Sequence, residues 1–236
     1  MQPVLPKNIR AVEVCAQNKE SLRLFERFYN ELYIKMFTDE DKIESLEGFL
    51  YCINEYKENE LFVRILVFCD DTGNIAGGVV YDYFDEIKVL AIEYIVVAKQ
   101  FRGSGLASKI LEYTQKSLPS RAEWTVIEAE KPEFVENNDL AYLNFWEKQG
   151  MKTIDFKYIQ PALSAEQNPV KTLMLCALGN LDKDAVSIKT SVVTAFIRLF
   201  AEHAFGIEEP ESDPSVREML KNLENKGDEL ELISLI

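Results

Sequence analysis

Residues 99–108 read Lys-Gln-Phe-Arg-Gly-Ser-Gly-Leu-Ala-Ser, and no other stretch constrains the fold as much. A β-branched apolar run at residues 92–97 precedes them, and Leu106, Ile110, Leu111 and Tyr113 mark a helix behind them. A strand, a glycine turn and a helix start make backbone N–H groups converge on an anion. Gly103 and Gly105 lack a Cβ, so the turn can take positive φ and lie close to a phosphate. Arg102 adds a fixed charge with paired donors, and a pyrophosphate suits such a site. Other phosphate loops are excluded. No Gly-Lys-Ser or Gly-Lys-Thr follows a glycine turn, and Ser108 stands where a dinucleotide fingerprint needs its third glycine.

Around this turn the periodicity lays out an α/β order. Residues 8–15 read as a strand, and Asn18 caps a helix carrying Leu22, Phe25, Phe28, Tyr29, Leu32, Tyr33 and Met36. A second helix carries Ile43, Leu46, Phe49, Leu50 and Ile53 behind the acids Asp39, Glu40 and Asp41, which favour a helix start. Strands at residues 61–69 and 75–84 flank an Asp-Asp-Thr-Gly-Asn turn. The strand at 89–97 and the motif helix to about residue 117 follow, until Pro119 breaks the pattern. A strand at 124–129, a helix at 139–149 closed by Gly150, and strands at 151–159 and 170–177 complete the series.

Composition narrows the class. With 236 residues, 47% of them hydrophobic, the chain can bury a full core, and no apolar run approaches the ~20 residues that span a bilayer. The opening Met-Gln-Pro-Val-Leu-Pro lacks the charged start and apolar core of a secretory leader. Cys15, Cys52, Cys69 and Cys176 lie far apart, and His203 is the single histidine, so no metal is expected and the cysteines read as reduced cytoplasmic thiols. A net charge of −14 argues against nucleic acid and suits a positively charged substrate, though acidity also serves plain solubility. A cytoplasmic protein without membrane or nucleic-acid partners is expected.

The strand-turn-helix resembles motif A of the GNAT superfamily of CoA-dependent N-acyltransferases: Arg or Gln, two residues, Gly, one residue, then Gly or Ala. Two registers fit, one on Gln100, Gly103 and Gly105, the other on Arg102, Gly105 and Ala107. The second is preferred because Val97 and the pair Ile110–Leu111 then fall where the family has apolar residues. The element order from residue 8 to 178 is also that of the family. The resemblance implies a mixed, splayed central sheet flanked by helices. It also implies acetyl-CoA as acyl donor, held by the backbone of Ile95, Val96 and Val97 along its pantetheine arm. Its pyrophosphate would rest on Arg102, Gly103, Ser104, Gly105, Leu106 and Ala107. Direct attack by a primary amine in a ternary complex is the implied reaction. The acceptor, a small molecule or a protein lysine, is not named by the sequence.

Candidate side chains for the chemistry are few. Glu93 interrupts an apolar strand on the face of Ile95 and Val97. A carboxylate there is costly without water, a partner or a ligand, and burial would raise its pKa towards that of a useful base. A hydrogen-bonded structural glutamate is the equal alternative. Glu128 and Glu130 share a face and could hold a cationic amine, or form a solvated face. Residues 145–151, Phe-Trp-Glu-Lys-Gln-Gly-Met, resemble a second family stretch, Phe-Tyr-Glu-Lys-x-Gly-Phe, whose Tyr often protonates the thiolate. Trp146 stands at that position and has no usable acidity, so Tyr142, one turn earlier, is the candidate general acid, with a packed helix tyrosine as the equal alternative. Asn138 is read as a helix N-cap and a CoA contact.

Beyond residue 179 the character changes. An apolar helix stripe of Val192, Val193, Phe196, Ile197, Phe200 and Ala201 precedes an acidic loop, a charged helix and a short tail. Residues 1–179 are therefore read as the acyltransferase domain and residues 180–236 as an acidic helical C-terminal extension. The stripe is read as a brace on the sheet, with a homodimer contact or a lid over the acceptor cleft as alternatives. Two other functions stay open: a non-catalytic acyl-CoA-binding regulatory module, for which Trp146 argues, and an acyltransferase using a longer donor.

Overall fold

Asn18 opens the first helix as its side chain dictates: Oδ1 accepts the N–H groups of Glu20 at 3.0 Å and Ser21 at 3.2 Å. This helix, α1 (Lys19–Glu31), buries Phe25, Phe28 and Tyr29 on one face. A 3₁₀ turn (Tyr33–Met36) follows, and α2 (Leu46–Glu55) adds Phe49 and Ile53 to the same core. The structure, a computed structural model, describes residues 5–36, 43–55, 63–135 and 140–236, so Asp39, Glu40, Asp41 and Asn138 lie outside the described residues.

The chain forms two compact units, Met1–Tyr83 with Ile92–Arg121 and Phe84–Ala91 with Ala122–Ile236. In the first, β1 (Ile9–Glu13) pairs antiparallel with β2 (Arg64–Asp70), and β2 pairs antiparallel with β3 (Ile75–Phe84). β4 (Val89–Val97) is hydrogen-bonded to β3. The β2–β3 turn is closed by Asp70, whose Oδ1 accepts from Thr72 N–H, Thr72 Oγ1 and Asn74 N–H at 2.7–2.9 Å. These bonds hold its carboxyl down at about 2. Gly77 lets β3 approach β4 closely, because a Cβ there would lie 2.5 Å from the Val96 carbonyl oxygen. α3 (Leu106–Ser117) completes this unit with Leu106, Ile110 and Leu111 buried.

The second unit is an antiparallel set in the order β5-β7-β6-β9-β8. β5 (Trp124–Glu130) pairs along its length with β7 (Leu173–Gly179), and β7 with β6 (Lys152–Ile154). β6 is shorter than the strand expected at residues 151–159. Phe156 N–H turns back to the Ile154 carbonyl at 2.8 Å and ends it. α4 (Ala141–Gln149) opens with Leu140 at its cap position and no side-chain acceptor, and it closes at Gly150 with φ 94°.

The C-terminal segment contains the expected helices, α5 (Thr190–Phe205) and α6 (Pro214–Glu224), and also two strands. β8 (Ser187–Lys189) pairs with β9 (Glu229–Ile233), and β9 pairs with β6. The expected tail is thus a strand. Its Leu230 and Leu232 alternate inward and its glutamates outward, a period of two in place of a helical period. The α5 stripe is a brace: Val193, Phe196, Ile197, Phe200 and Ala201 are buried with Val216, Met219, Leu220 and Leu223 of α6. Among the described residues no helix is long and apolar enough to cross a membrane.

Candidate active site

The glycine turn has the geometry its residues require. Gly103 and Gly105 take φ of 75° and 81°, in the left-handed region that L side chains avoid. A Cβ at either would meet nothing within 4 Å, so the space before the loop is open. Gly105 is the N-cap of α3 and supplies no side-chain acceptor, which leaves the opening of α3 to be satisfied from outside. Arg102 is exposed; its Nε donates to the Val97 carbonyl at 3.2 Å, tying the loop to the end of β4, and an Nη donates to Met36 Sδ at 3.2 Å. Ser104 Oγ closes the turn on the Phe101 carbonyl at 2.5 Å. Leu106 is buried as the helix anchor, so its contribution to a ligand would be its backbone. A pyrophosphate fits this cradle.

Upstream on β4, Glu93, Ile95 and Val97 share one face and are half-buried, while Val96 points into the core. The Glu93 Oε1 is buried, and its carboxyl lies against that of Asp82 on β3. Asp82 is fully buried, and burial pushes it up to about 7. Two further elements line this spot. The 3₁₀ turn brings Tyr33, whose hydroxyl accepts Glu44 N–H at 3.1 Å and whose ring meets Tyr94 edge-on at 4.8 Å. α2 brings Cys52, raised to about 11 by burial and then by the negative fields of Glu93, Glu44 and Asp82. Phe49 packs against both tyrosines. Asp82 was missed in the sequence, although an acid in the otherwise apolar, aromatic run of β3 is the same signal that singled out Glu93.

The second unit holds Glu128, Glu130 and Tyr142. Glu128 and Glu130 share a face of β5 opposite Leu175 and Leu173, but their surroundings differ. Glu128 accepts a hydrogen bond from the buried Tyr158 hydroxyl at 2.5 Å, and burial pushes its carboxyl up to about 7. Tyr158 was also missed, because it follows the end of β6 in an irregular segment. Tyr142 lies on α4 as an exposed residue, its ring edge-on to that of Trp146 with centroids 6.1 Å apart. Burial of its hydroxyl, with the fields of Cys176 and Glu128, raises it. Trp146 is fully buried and its Nε1 has no hydrogen-bond acceptor among the described residues.

The sequence profile of the acetyltransferase (GNAT) family matches residues 25–151, more than half of the chain. The chain belongs to the GNAT family. The match runs from the middle of α1 through the glycine turn and β5 to the end of α4. Solved structures agree at the level of fold. A protein described as a GNAT-family acetyltransferase from Bacteroides thetaiotaomicron superposes with a TM-score of 0.62 at 18% identity, over 84% of this chain and 99% of that one. Ard1 from Thermoplasma volcanium gives 0.50 at 15% identity, over 74% and 99%. An acetyltransferase from Thermus thermophilus gives 0.50 at 13% identity, over 76% and 99%. No curated protein matches the sequence. The fold class is the expected one, α/β with a GNAT-type open sheet flanked by helices.

Proposed function

We propose that this GNAT-family chain is an acetyl-CoA-dependent N-acetyltransferase acting on a primary amine in a ternary complex. The observation that carries the reading is the open, positive-φ turn at Gly103 and Gly105 leading into α3 directly after β4. Acetyl-CoA supplies the activated acyl group when bound. Its pyrophosphate would be held by the N–H groups of residues 103–107 beside Arg102, its pantetheine arm by the backbone of Ile95, Val96 and Val97. Asn138 is proposed as a further CoA contact. Residues 1–179 are proposed as the catalytic domain, with residues 180–236 appended to it.

Such a transfer asks little of side chains. As the N–C bond forms and the C–S bond breaks, the amine proton passes to Glu93, directly or through one water. A backbone N–H on β4 polarises the thioester oxygen. Tyr142, a phenol at neutral pH as any tyrosine is, can give a proton to the departing sulfur. The −14 net charge favours a cationic acceptor, a small-molecule amine or a protein lysine, with Glu128 and Glu130 as its proposed contacts in the second unit.

The test is thioester cleavage with acetyl-CoA and a panel of polyamines, aminoglycosides, amino acids and lysine peptides. Cleavage that depends on one amine class supports the enzyme. CoA binding by calorimetry without cleavage for any amine supports the second reading, a non-catalytic acyl-CoA-binding module, which the buried Trp146 in the tyrosine position favours. A longer acyl-CoA in the same panel separates donors.

A further inference from the structure

We propose that the groove between α1 and β1 binds a small phosphate monoester, gripped by Arg10, Arg23 and Arg27. The groove encloses about 380 Å³, room for a phosphate and a small organic group, and it shares no residue with the glycine turn. β1 forms one wall with Arg10 and Val12, and α1 forms the other with Arg23, Leu24 and Arg27. Cys69, opposite Arg10 on β2, and Gly73 of the β2–β3 turn also line it. Among the described residues β1 pairs with β2 alone, at the end of the strand order.

Three arginines in one groove are a costly arrangement. Arg23 and Arg27 stand one turn apart on α1, where like charges destabilise a helix, and Arg10 joins them from the other wall. Acids to pair them with are plentiful, 40 in the chain against 26 Lys and Arg. Yet Arg10 and Arg23 make no hydrogen bond or ion pair with any described residue. Glu20 shares the lining and forms no ion pair with any of the three. Arg27 is held in place: Nε donates to Glu31 at 2.9 Å and an Nη donates to the Gly73 carbonyl at 3.2 Å. Asp70, next to Cys69, spends its carboxyl on Thr72 and Asn74. Burial raises the Cys69 thiol, and the fields of Arg10 and Arg27 oppose that rise, so both charges act at one buried point. Asn18 takes the N–H groups of Glu20 and Ser21 at the start of α1, which leaves recognition to the guanidinium groups.

A phosphate monoester meets these donors on their own terms. It carries about −1.5 to −2 charges at pH 7 and three strong acceptor oxygens, which guanidinium forks bind in pairs. Donors arriving from two walls suit a tetrahedral group better than a planar carboxylate. Val12 and Leu24 offer apolar surface to the organic part.

The test is calorimetric titration of the full chain with phenyl phosphate, in an Arg102→Ala background so that the glycine turn competes less. Binding at one site is expected. Adding Arg10→Ala or Arg23→Ala should weaken it about tenfold or more, as loss of a charge-assisted bond does, and Arg10→Lys should weaken it less. Affinity should rise several-fold from pH 5 to pH 7.5 as the probe takes its second charge. Without ligand, the Arg10→Ala, Arg23→Ala double variant should melt no lower than its parent, because removing like charges relieves repulsion; a lower Tm would mean that the arginines serve the fold. The proposal is overturned if phenyl phosphate does not bind, or binds equally after Arg10→Ala and Arg23→Ala. Succinate binding as tightly as phenyl phosphate, or an acidic peptide binding where phenyl phosphate does not, overturns it too.

Discussion

Each unit of this chain buries a carboxyl, and each solves the resulting problem differently. In the first, Asp82 has no exposed surface and meets a second acid, Glu93. In the second, half-buried Glu128 meets the Tyr158 hydroxyl at 2.5 Å. Burial raises both to about 7. A tyrosine hydroxyl can satisfy a carboxyl in either protonation state, since it donates to the ionised form and accepts from the neutral one. Another carboxyl can do so only while one proton is shared. Glu128 can therefore keep one hydrogen-bonded geometry in either charge state, whereas Asp82 and Glu93 place two acids side by side.

The sharpest way to break this contrast is Glu93→Gln. A general base contributes ~10²–10⁴-fold, so kcat should fall on that scale while CoA affinity, measured by calorimetry, stays within about twofold. The matching change in the second unit, Glu128→Gln, should leave kcat nearly unchanged. Equal losses from both would end the distinction between a reactive acid and a structural one.

The glycine turn offers the next largest effect. Gly105→Val places a β-branched residue at φ 81°, where the structure leaves room for a Cβ but the backbone penalises it. A cost of ~1–2 kcal/mol in the left-handed region, added to a side chain projecting into the ligand's space, predicts CoA binding weakened by at least ~10-fold. Gly105→Ala should weaken it less. A folded valine variant that binds CoA as the parent does would remove the loop from the site.

That loop was legible because its information is local. Glycines at 103 and 105, an apolar strand before and a 3.6-residue period after define a turn without reference to anything distant. The strands at Ile75–Phe84 and Val89–Val97 were legible to the residue for the same reason. What escaped was pairing. Nothing in the local sequence says that Asp82 lies against Glu93, or that Tyr158 reaches thirty residues back to Glu128. The strand nature of Glu229–Ile233 was hidden too, because five residues of alternation after a helix carry little signal until β6 supplies an edge. Gly77 is intermediate: a glycine in a strand announces a close approach, but only the fold names the Val96 carbonyl as what approaches.

Stability against pH tests both buried acids together. A carboxyl whose folded pKa is raised binds its proton more tightly folded than unfolded. Its contribution to stability is therefore complete below the unfolded value, near 4, and is lost as pH rises towards about 7. Asp82→Asn and Glu128→Gln should each flatten the fall in Tm between pH 4 and 7, the former more because Asp82 is the more deeply buried. Tyr158→Phe should act oppositely, costing ~1–3 kcal/mol at neutral pH by stripping Glu128 of its donor. Calorimetric scans across that range decide all three.

Tyr142→Phe is expected to matter less. A thiolate is a tolerable leaving group that water can protonate, so kcat should drop by less than about tenfold. A loss as large as that from Glu93→Gln would move the principal proton transfer into the second unit.

The smallest effect concerns how the acceptor arrives, and it separates Glu128 from its neighbour. A cationic amine drawn by a chain of net charge −14 should bind with an on-rate that falls a few-fold as salt rises from ~10 mM to ~150 mM, where the screening length shortens from about 30 Å to about 8 Å. Only ionised groups contribute to that attraction. At pH 6 Glu128, raised to about 7 and holding its Tyr158 bond, is mostly neutral, so Glu128→Gln should leave the salt dependence untouched. Glu130, two residues along the same face, should weaken it when changed to Gln. At pH 8 Glu128 is ionised, and both substitutions should then act alike. Stopped-flow acceptor binding at the two pH values measures this directly. A salt-independent on-rate would remove charge from acceptor choice, and an equal effect of both variants at pH 6 would show that Glu128 carries its charge after all.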